Sequence, residues 1–389
     1  MNSSVFNIEA QTERLCEQLA ATAVERDKAG GHPAAERELI RDSGLLALAI
    51  PQQYGGLGQD WRTILNVVRR VAAVDSSLAH LFAFQHLQVA SILFFGSPRQ
   101  HQVLLTGTVA QRWFWGNALN PADNRSRAVE RDGGIVVNGL KSFCSGARGA
   151  DRLLVSAHTE SGKFLVGAIP ADRAGVEIDT DWDAIGQRQT DSGTVRFKDV
   201  FITQDELLLE PGPNGTPYSS LRANLAQSIL VNIYLGLAHG AFETARDYTL
   251  TKRRPWVNSG VDSAAKDPYL LQRFAELWLQ LRTATVFADA AADRLDAAWK
   301  KGSALTAEER GAVAVAVVEA KVLAHRASLD IGTQLFDVAG AGATHAALGL
   351  DRFWRNARTH TLHDPLDYKL RDLGNWALNG IYPTPTSYS

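Results

Sequence analysis

Apolar positions in the first part of the chain recur at helical spacing, at Leu15, Leu19 and Ala23 and again at Leu39, Ile40 and Leu46, so each set falls on one helix face. The pattern breaks at Pro51-Gln-Gln-Tyr54-Gly55-Gly56-Leu57-Gly58, because proline and repeated glycine are costly inside a helix. Beyond it, helices are predicted over about Trp61–Val74 and Ser76–Phe95, with Asp75 and Ser76 as N-cap candidates at the junction. His86 lies within the second helix among Phe82, Phe84 and Leu87. A lone histidine in such company is more often a packed core residue than a catalyst.

After about residue 110 the texture changes. Short β-branched or aromatic runs alternate with turn residues: Gly134-Ile-Val-Val137, Leu153-Leu-Val155, Phe164-Leu-Val166 and Thr194-Val-Arg-Phe197. Asn138-Gly139 is predicted to be a hairpin turn. Strand following strand, with no helical pattern between, predicts an antiparallel β domain. No GxGxxG follows a strand, so a Rossmann nucleotide site is unsupported. The segment Glu210-Pro-Gly-Pro-Asn-Gly-Thr-Pro217 reads as a linker. Helical periodicity returns over about Ser219–Thr251 and Pro268–Lys301, then from the capping-box candidates Thr306 and Glu309 to about Phe336. Ala339-Gly-Ala-Gly342 separates this from a last helix carrying Trp354, His360 and His363. The prediction is an α+β protein: an N-terminal α-helical domain over 1–110, a central antiparallel β-barrel or sandwich over 111–215, and a C-terminal four-helix bundle over 216–389.

Charge narrows the partners. Forty Lys plus Arg against 42 Asp plus Glu leaves a net −2, which offers no basic field for nucleic acid or an acidic membrane. No apolar run reaches the ~18 residues that span a bilayer, and the opening MNSSVFNIEA lacks the basic and apolar regions of a secretory signal. Cys16 and Cys144 alone make neither a disulfide framework nor a thiolate metal site. The expected location is the cytoplasm. Trp113-Phe114-Trp115, Trp354 and Trp376 suit a core, a subunit interface or a flat aromatic ligand.

The chemistry-bearing stretch is His360-Thr-Leu-His363-Asp-Pro-Leu-Asp-Tyr-Lys369. Histidines at i and i+3 are predicted to share one helix face, with Pro365 bending or ending the helix soon after. Imidazoles titrate near neutral pH, so the pair suits proton handling or metal binding. With Asp364 they would make a partial metal site, but no other histidine or carboxylate stands at motif spacing, and no metal is expected.

Three ordered signatures carry a resemblance that covers nearly the whole chain. LLALAIPQQYGGLG (Leu45 to Gly58), IGQRQTDSGTVRFKDVFI (Ile185 to Ile202, with Gly186, Arg188, Thr190 and Ser192) and LFDVAGAGATHAALGLDRFWRNAR (Leu335 to Arg358) resemble those of the acyl-CoA dehydrogenase superfamily. In its dehydrogenases a glutamate late in the chain, commonly in Tyr-Glu-Gly-Thr, removes the α-proton of an acyl-CoA thioester. Here the matching region is Leu362-His363-Asp364-Pro365. Asp364 is one methylene shorter, about 1.5 Å less reach for a general base. Phe143-Cys144-Ser145 replaces the flavin-facing Trp-Ile-Thr. KSFCSGA (Lys141 to Ala147), RPW (Arg254 to Trp256), DPY (Asp267 to Tyr269) and THTLHDP (Thr359 to Pro365) resemble instead the flavin-dependent monooxygenases of this fold, the subgroup that includes the dibenzothiophene monooxygenases.

That resemblance implies a two-component system. A separate flavin reductase supplies reduced FMN, which reacts with O2 to give a C4a-hydroperoxyflavin that oxygenates a small substrate, at sulfur if the substrate is an organosulfur compound. The alternatives are N-oxygenation of an amine, an FAD-dependent acyl-CoA dehydrogenase with a displaced base, and a non-catalytic flavin-binding scaffold. By the same resemblance His363 donates or steers a proton, and His360 supports it or faces the flavin. Ser145 hydrogen-bonds near the flavin N5, and Phe143 packs on the isoalloxazine. Asn117 binds peroxide or substrate, and His86 completes the wall. Arg254, beside Trp256, is expected to hold a phosphate, although Lys252-Arg253-Arg254 also suits a helix C-terminus. FAD is possible, since Gly340 and Gly342 permit close backbone approach by an adenine half. A flavin near an interface implies a homo-oligomer, a tetramer in this family.

Overall fold

Side-chain caps from Asn7, Asp60, Asp75 and Ser97 start four of the six N-terminal helices. In the computed structural model, which describes residues 6–213 and 215–389, the six are α1 (Ile8–Ala20), α2 (Ala23–Ala29), α3 (Ala34–Asp42), α4 (Trp61–Val74), α5 (Ser76–Phe95) and α6 (Pro98–Gln111). Residues 1–5, part of the stretch read for a signal, and Asn214 of the linker lie outside the described residues. Asp60 accepts from Thr63 N at 2.8 Å and Asp75 from Leu78 N at 3.0 Å, satisfying amides that the helix leaves open. Of the junction pair, Asp75 is the cap and Ser76 the first helical residue.

The β region comprises β1 (Trp115–Ala118), β2 (Arg127–Arg131), β3 (Gly134–Lys141), β4 (Arg152–Thr159), β5 (Phe164–Pro170), β6 (Val176–Ile178) and β7 (Val195–Thr203). The strands run β1-β4-β2-β3-β7-β6, with β5 on β4. The antiparallel expectation holds for β2–β3, β3–β7, β4–β5 and β6–β7, but β1–β4 and β2–β4 are parallel. The chain leaves β1, makes the β2–β3 hairpin and returns through a long connection, so β4 re-enters in the direction of β1. Asn138-Gly139 is not the hairpin turn. β3 passes straight through it with a bulge between Val137 and Gly139, and Asn138 exchanges hydrogen bonds with Asp199 at 3.0 and 2.9 Å. The turn is Asp132-Gly133, where Gly133 takes φ 76°.

Five helices complete the order: α7 (Pro217–Thr251), α8 (Pro268–Lys301), α9 (Ala307–Ala339), α10 (Asp351–Thr361) and α11 (Leu366–Asn379). The Thr306–Glu309 capping box forms. Helices α5 and α7 are long and apolar enough to cross a membrane by composition, yet 89% of each such window is buried, as in core helices. One hydrophobic cluster joins Val68 and Val71 of α4 to Leu230 and Ile233 of α7, each buried side chain contributing roughly 1.5–3 kcal/mol. Gly240 makes the close approach possible, because a Cβ there would lie 2.1 Å from the Ala73 carbonyl oxygen. α10 ends at Thr361, so His360 is helical while His363 lies in the following turn, its N–H donating to the His360 carbonyl at 3.1 Å. The two histidines therefore do not share a helix face. Pro365 caps α11.

Candidate active site

Between the β region and helices α5, α7 and α10 lies a cavity of about 670 Å³, a size suited to a cofactor and a small substrate. Its β wall carries Asn117 on β1, buried to 8% exposure, and the turn Phe143–Ser145. Phe143 holds φ 60°, a left-handed conformation that costs a non-glycine residue about 1–3 kcal/mol. That turn leaves its ring 63% exposed at the mouth, edge-on to Trp182 at 6.1 Å.

The Ser145 hydroxyl belongs to a directed chain. Thr190 Oγ1 donates to the Gln187 carbonyl at 2.9 Å, and Ser192 Oγ donates to Thr190 Oγ1 at 2.8 Å. Ser145 Oγ, 2.7 Å from Ser192 Oγ, must then be the donor of that pair. Its proton is committed, so toward the cavity Ser145 is an acceptor. The loop carrying Thr190 and Ser192 is pinned to α10: Gln187 N donates to Asn356 Oδ1 at 2.6 Å, and a Cβ on Gly186 would meet the Arg355 carbonyl oxygen at 2.1 Å.

The helical wall is built on imidazoles. His80 of α5 lies with Nδ1 3.0 Å from His360 Nε2, and its ring stacks on Phe84 at 3.9 Å. The His360 carbonyl accepts from the Tyr234 hydroxyl at 3.0 Å. Burial, reinforced by the nearby His363, pushes His80 down to about 3. Burial and then His80 hold His360 well below the usual histidine range. Both rings are thus neutral near pH 7, one donating to the other. The outer nitrogens, His80 Nε2 and His360 Nδ1, have no hydrogen-bond partner among the described residues. Two linked imidazoles with free ends can pass a proton along the wall.

His363 Nδ1 lies 3.2 Å from Asp364 Oδ1. Asp364 is also ion-paired to Lys321, lies 3.4 Å from Lys369 Nζ, and accepts from Gln227 Nε2 at 3.5 Å. Burial alone would raise its carboxyl, but the His363 hydrogen bond and the Lys321 charge hold it well below the usual carboxylate range. Lys321 is pushed down to about 8 by burial, against the pull of Asp364, so it remains an ammonium at neutral pH. Asp364 is therefore an ionised, occupied acceptor. It takes the His363 Nδ1–H and leaves Nε2 of this cavity-lining ring free of the carboxylate.

Residues 8–112, 116–200 and 228–368 match the N-terminal, middle and C-terminal domains of acyl-CoA dehydrogenase. The chain belongs to the acyl-CoA dehydrogenase family. Within this family it is 51% identical over 382 residues to the probable FMNH2-dependent monooxygenase SfnC of Pseudomonas putida, covering 98% of this chain and 97% of that protein. The solved structure of methanesulfinate monooxygenase MsuC from Pseudomonas fluorescens superposes with a TM-score of 0.97 at 50% identity, covering 98% of this chain and 100% of that one. FMN-bound TdsC, a dibenzothiophene monooxygenase from Paenibacillus sp. A11-2, superposes at 0.93 with 41% identity, covering 98% of this chain and 99% of that one.

On this acyl-CoA dehydrogenase fold the cavity gathers Asn117, Phe143, Ser145, His360 and His363. It does not gather His86, which is fully buried, 4.7 Å edge-on to Phe82, with neither nitrogen hydrogen-bonded among the described residues. His80, six residues earlier, takes that place on the wall; six residues turn a helix through about 600°, to another face. Arg254 is exposed, and Trp256 is 68% exposed, away from the cavity. Gly340, at φ 83°, packs on Arg253, whose guanidinium caps the end of α9 through the Asp337 carbonyl at 2.7 Å; Gly342 packs on the Tyr248 hydroxyl. Trp113-Phe114-Trp115 lies in the helical core and beside it, outside the cavity. The sequence reading missed His80, Trp182, Arg222 and Tyr388, all cavity-lining. The spacing of His80, Phe84 and Leu87 marks one helix face, a signal that could have favoured His80 over His86.

Proposed function

We propose that this chain is a monooxygenase that takes reduced FMN from a separate reductase and O2, and oxygenates a small organosulfur compound. The observation that carries the reading is the converted base position. The carboxylate where the family's dehydrogenases keep a glutamate is tied to Lys321, and imidazoles line the cavity beside it. Abstraction of an α-proton by Asp364 would require breaking a buried ion pair.

The cavity suits a flavin. Phe143 and Trp182 offer an aromatic edge, Ser145 offers an acceptor that matches the N5–H of reduced flavin, which oxidised flavin lacks, and polar atoms of His80, Gln187, Thr359 and His360 have no partner among the described residues. Reduced FMN, when bound, supplies the two electrons that activate O2, so that one oxygen atom goes to sulfur and the other leaves as water. The protein's part is to exclude water and move protons. His363 Nε2 exchanges a proton with the cavity, the His80–His360 pair relays one, and Asn117 offers an amide to the oxygen or substrate.

The assembly we propose is a homotetramer in the cytoplasm. Leu271, Trp278, Leu279 and Val286 leave an exposed apolar stripe along α8, which supports association with further copies. Arg254 and Trp256, exposed near the end of α7, would serve a flavin phosphate only from a neighbouring copy. The test is rapid mixing of anaerobic protein and reduced FMN with oxygenated buffer, followed by product analysis under ¹⁸O2. A near-ultraviolet transient distinct from reduced and oxidised flavin, with labelled oxygen on sulfur, is expected. Rapid bleaching of the oxidised-flavin protein by an acyl-CoA, without oxygenation, would overturn the reading.

A further inference from the structure

Arg222, near the start of α7, lines the same cavity from the helical wall, not from the β wall that supplies Phe143, Ser145 and Trp182. Among the described residues only its Nε is engaged, donating to Ser91 Oγ at 2.6 Å. Other arginines drawn into the structure are neutralised or capped more fully: Arg26 meets Asp75 at 2.5 Å, Arg69 meets Asp289 at 2.7 Å and Arg355 meets Asp27 at 2.5 Å, while Arg37 spends both terminal nitrogens on the carbonyls of Gly146, Arg148 and Gly149. Arg222 has no such partner among the described residues. Burial pushes it down to about 10, opposed only by Tyr388, so the charge persists at neutral pH. A cation held against an apolar wall without a counter-ion is costly unless a ligand neutralises it.

Its surroundings indicate which ligand. Along one face of α5 run His80, Phe84, Leu87 and Ser91, so the wall passes from the histidine pair, over apolar side chains, to the arginine. Tyr388 also lines the cavity, 5.8 Å ring to ring from His363, with its hydroxyl 3.4 Å from Asn120 Oδ1. A small apolar group and an oxyanion would both be accommodated there. The guanidinium fork matches a two-oxygen acceptor.

We propose that Arg222 is an anion anchor in the substrate part of the cavity, which selects organosulfur oxyanions of the sulfinate and sulfonate class over neutral organosulfur compounds. This rests on the monooxygenase reading and narrows its substrate class. The other anion a flavin site must hold is the FMN phosphate, and the experiment separates the two.

The measurement is calorimetric titration of the FMN-saturated protein with sodium methanesulfinate and with dimethyl sulfone, a neutral analogue of similar size, in wild type, Arg222→Gln and Arg222→Lys. The expected result is a loss of methanesulfinate affinity of about 10- to 100-fold in Arg222→Gln, partial recovery in Arg222→Lys, and no change for dimethyl sulfone. Affinities for FMN and riboflavin, measured in parallel, should be unaltered, which also reports an intact fold. A fall in FMN affinity with none in riboflavin affinity would make Arg222 a flavin-phosphate ligand and overturn the proposal. So would an unchanged methanesulfinate affinity in Arg222→Gln, or a loss seen only in Arg358→Gln, the other cavity arginine. Binding is read without turnover, so a chain that binds the anion through Arg222 yet oxygenates nothing refutes the monooxygenase reading alone.

Discussion

Helix α5 carries His80 and His86 six residues apart, both buried, both pushed down to about 3 by burial. By titration they are twins. By geometry they are not: His80 joins His360 at 3.0 Å in a cavity wall, while His86 packs against Phe82 with neither nitrogen hydrogen-bonded among the described residues. A depressed pKa reports the loss of water around an imidazole, and a core residue loses water as thoroughly as a catalyst does. What separates the two is a polar neighbour and an open volume. The same test separates Asp364, held among Lys321, Lys369 and Gln227, from a carboxylate poised to take a proton.

The variants that probe this comparison differ widely in size. His363→Ala removes the exchanging nitrogen, and steady-state product formation should fall about 10²- to 10⁴-fold with the melting temperature little changed. Asp364→Asn leaves Lys321 and Lys369 buried beside an uncharged amide, so denaturant unfolding should show a loss of about 3–5 kcal/mol, together with a slower enzyme because His363 loses its orienting acceptor. His80→Ala removes one member of the relay and should reduce kcat about 10- to 100-fold. His86→Leu should leave kcat within about twofold, in keeping with a residue remote from the chemistry.

His86→Leu has a second signature. The folded-state value lies near 3, below the ordinary 6.5, so the unfolded chain takes up the proton first as pH falls. The stability tied to the neutral ring is therefore fully present above about 6.5 and is lost progressively toward 3. Removing the ring should make the decline in melting temperature between about pH 6.5 and pH 4 shallower. An unchanged slope would mean that His86 is not neutral in the folded protein.

The sequence reveals what is local. Trp61–Val74, Ser76–Phe95 and Pro268–Lys301 are found as read, because capping residues and apolar spacing act within a few residues. Asn138-Gly139 carries the composition of a turn, but its neighbours pair with β7 across a bulge, and the turn falls to Asp132-Gly133. Ser145, Asn117, His360 and His363 are legible through motif resemblance, and the cavity brings them together. His80 and Arg222 are not, since nothing local says which face of α5 or α7 meets the β region. Arg254 stands in a basic cluster that suits a phosphate, and this fold puts it on the surface.

In the proposed function, cavity imidazoles, and not merely buried ones, handle the proton for oxygen chemistry at reduced FMN. Rapid mixing with O2 of the reduced-FMN protein, comparing wild type, His80→Ala and His86→Leu, measures it directly through the formation rate of the near-ultraviolet transient. The expected rate in His80→Ala is at least about tenfold below wild type, and that in His86→Leu equals wild type. Equal rates in all three, or an equal fall in both variants, would contradict it.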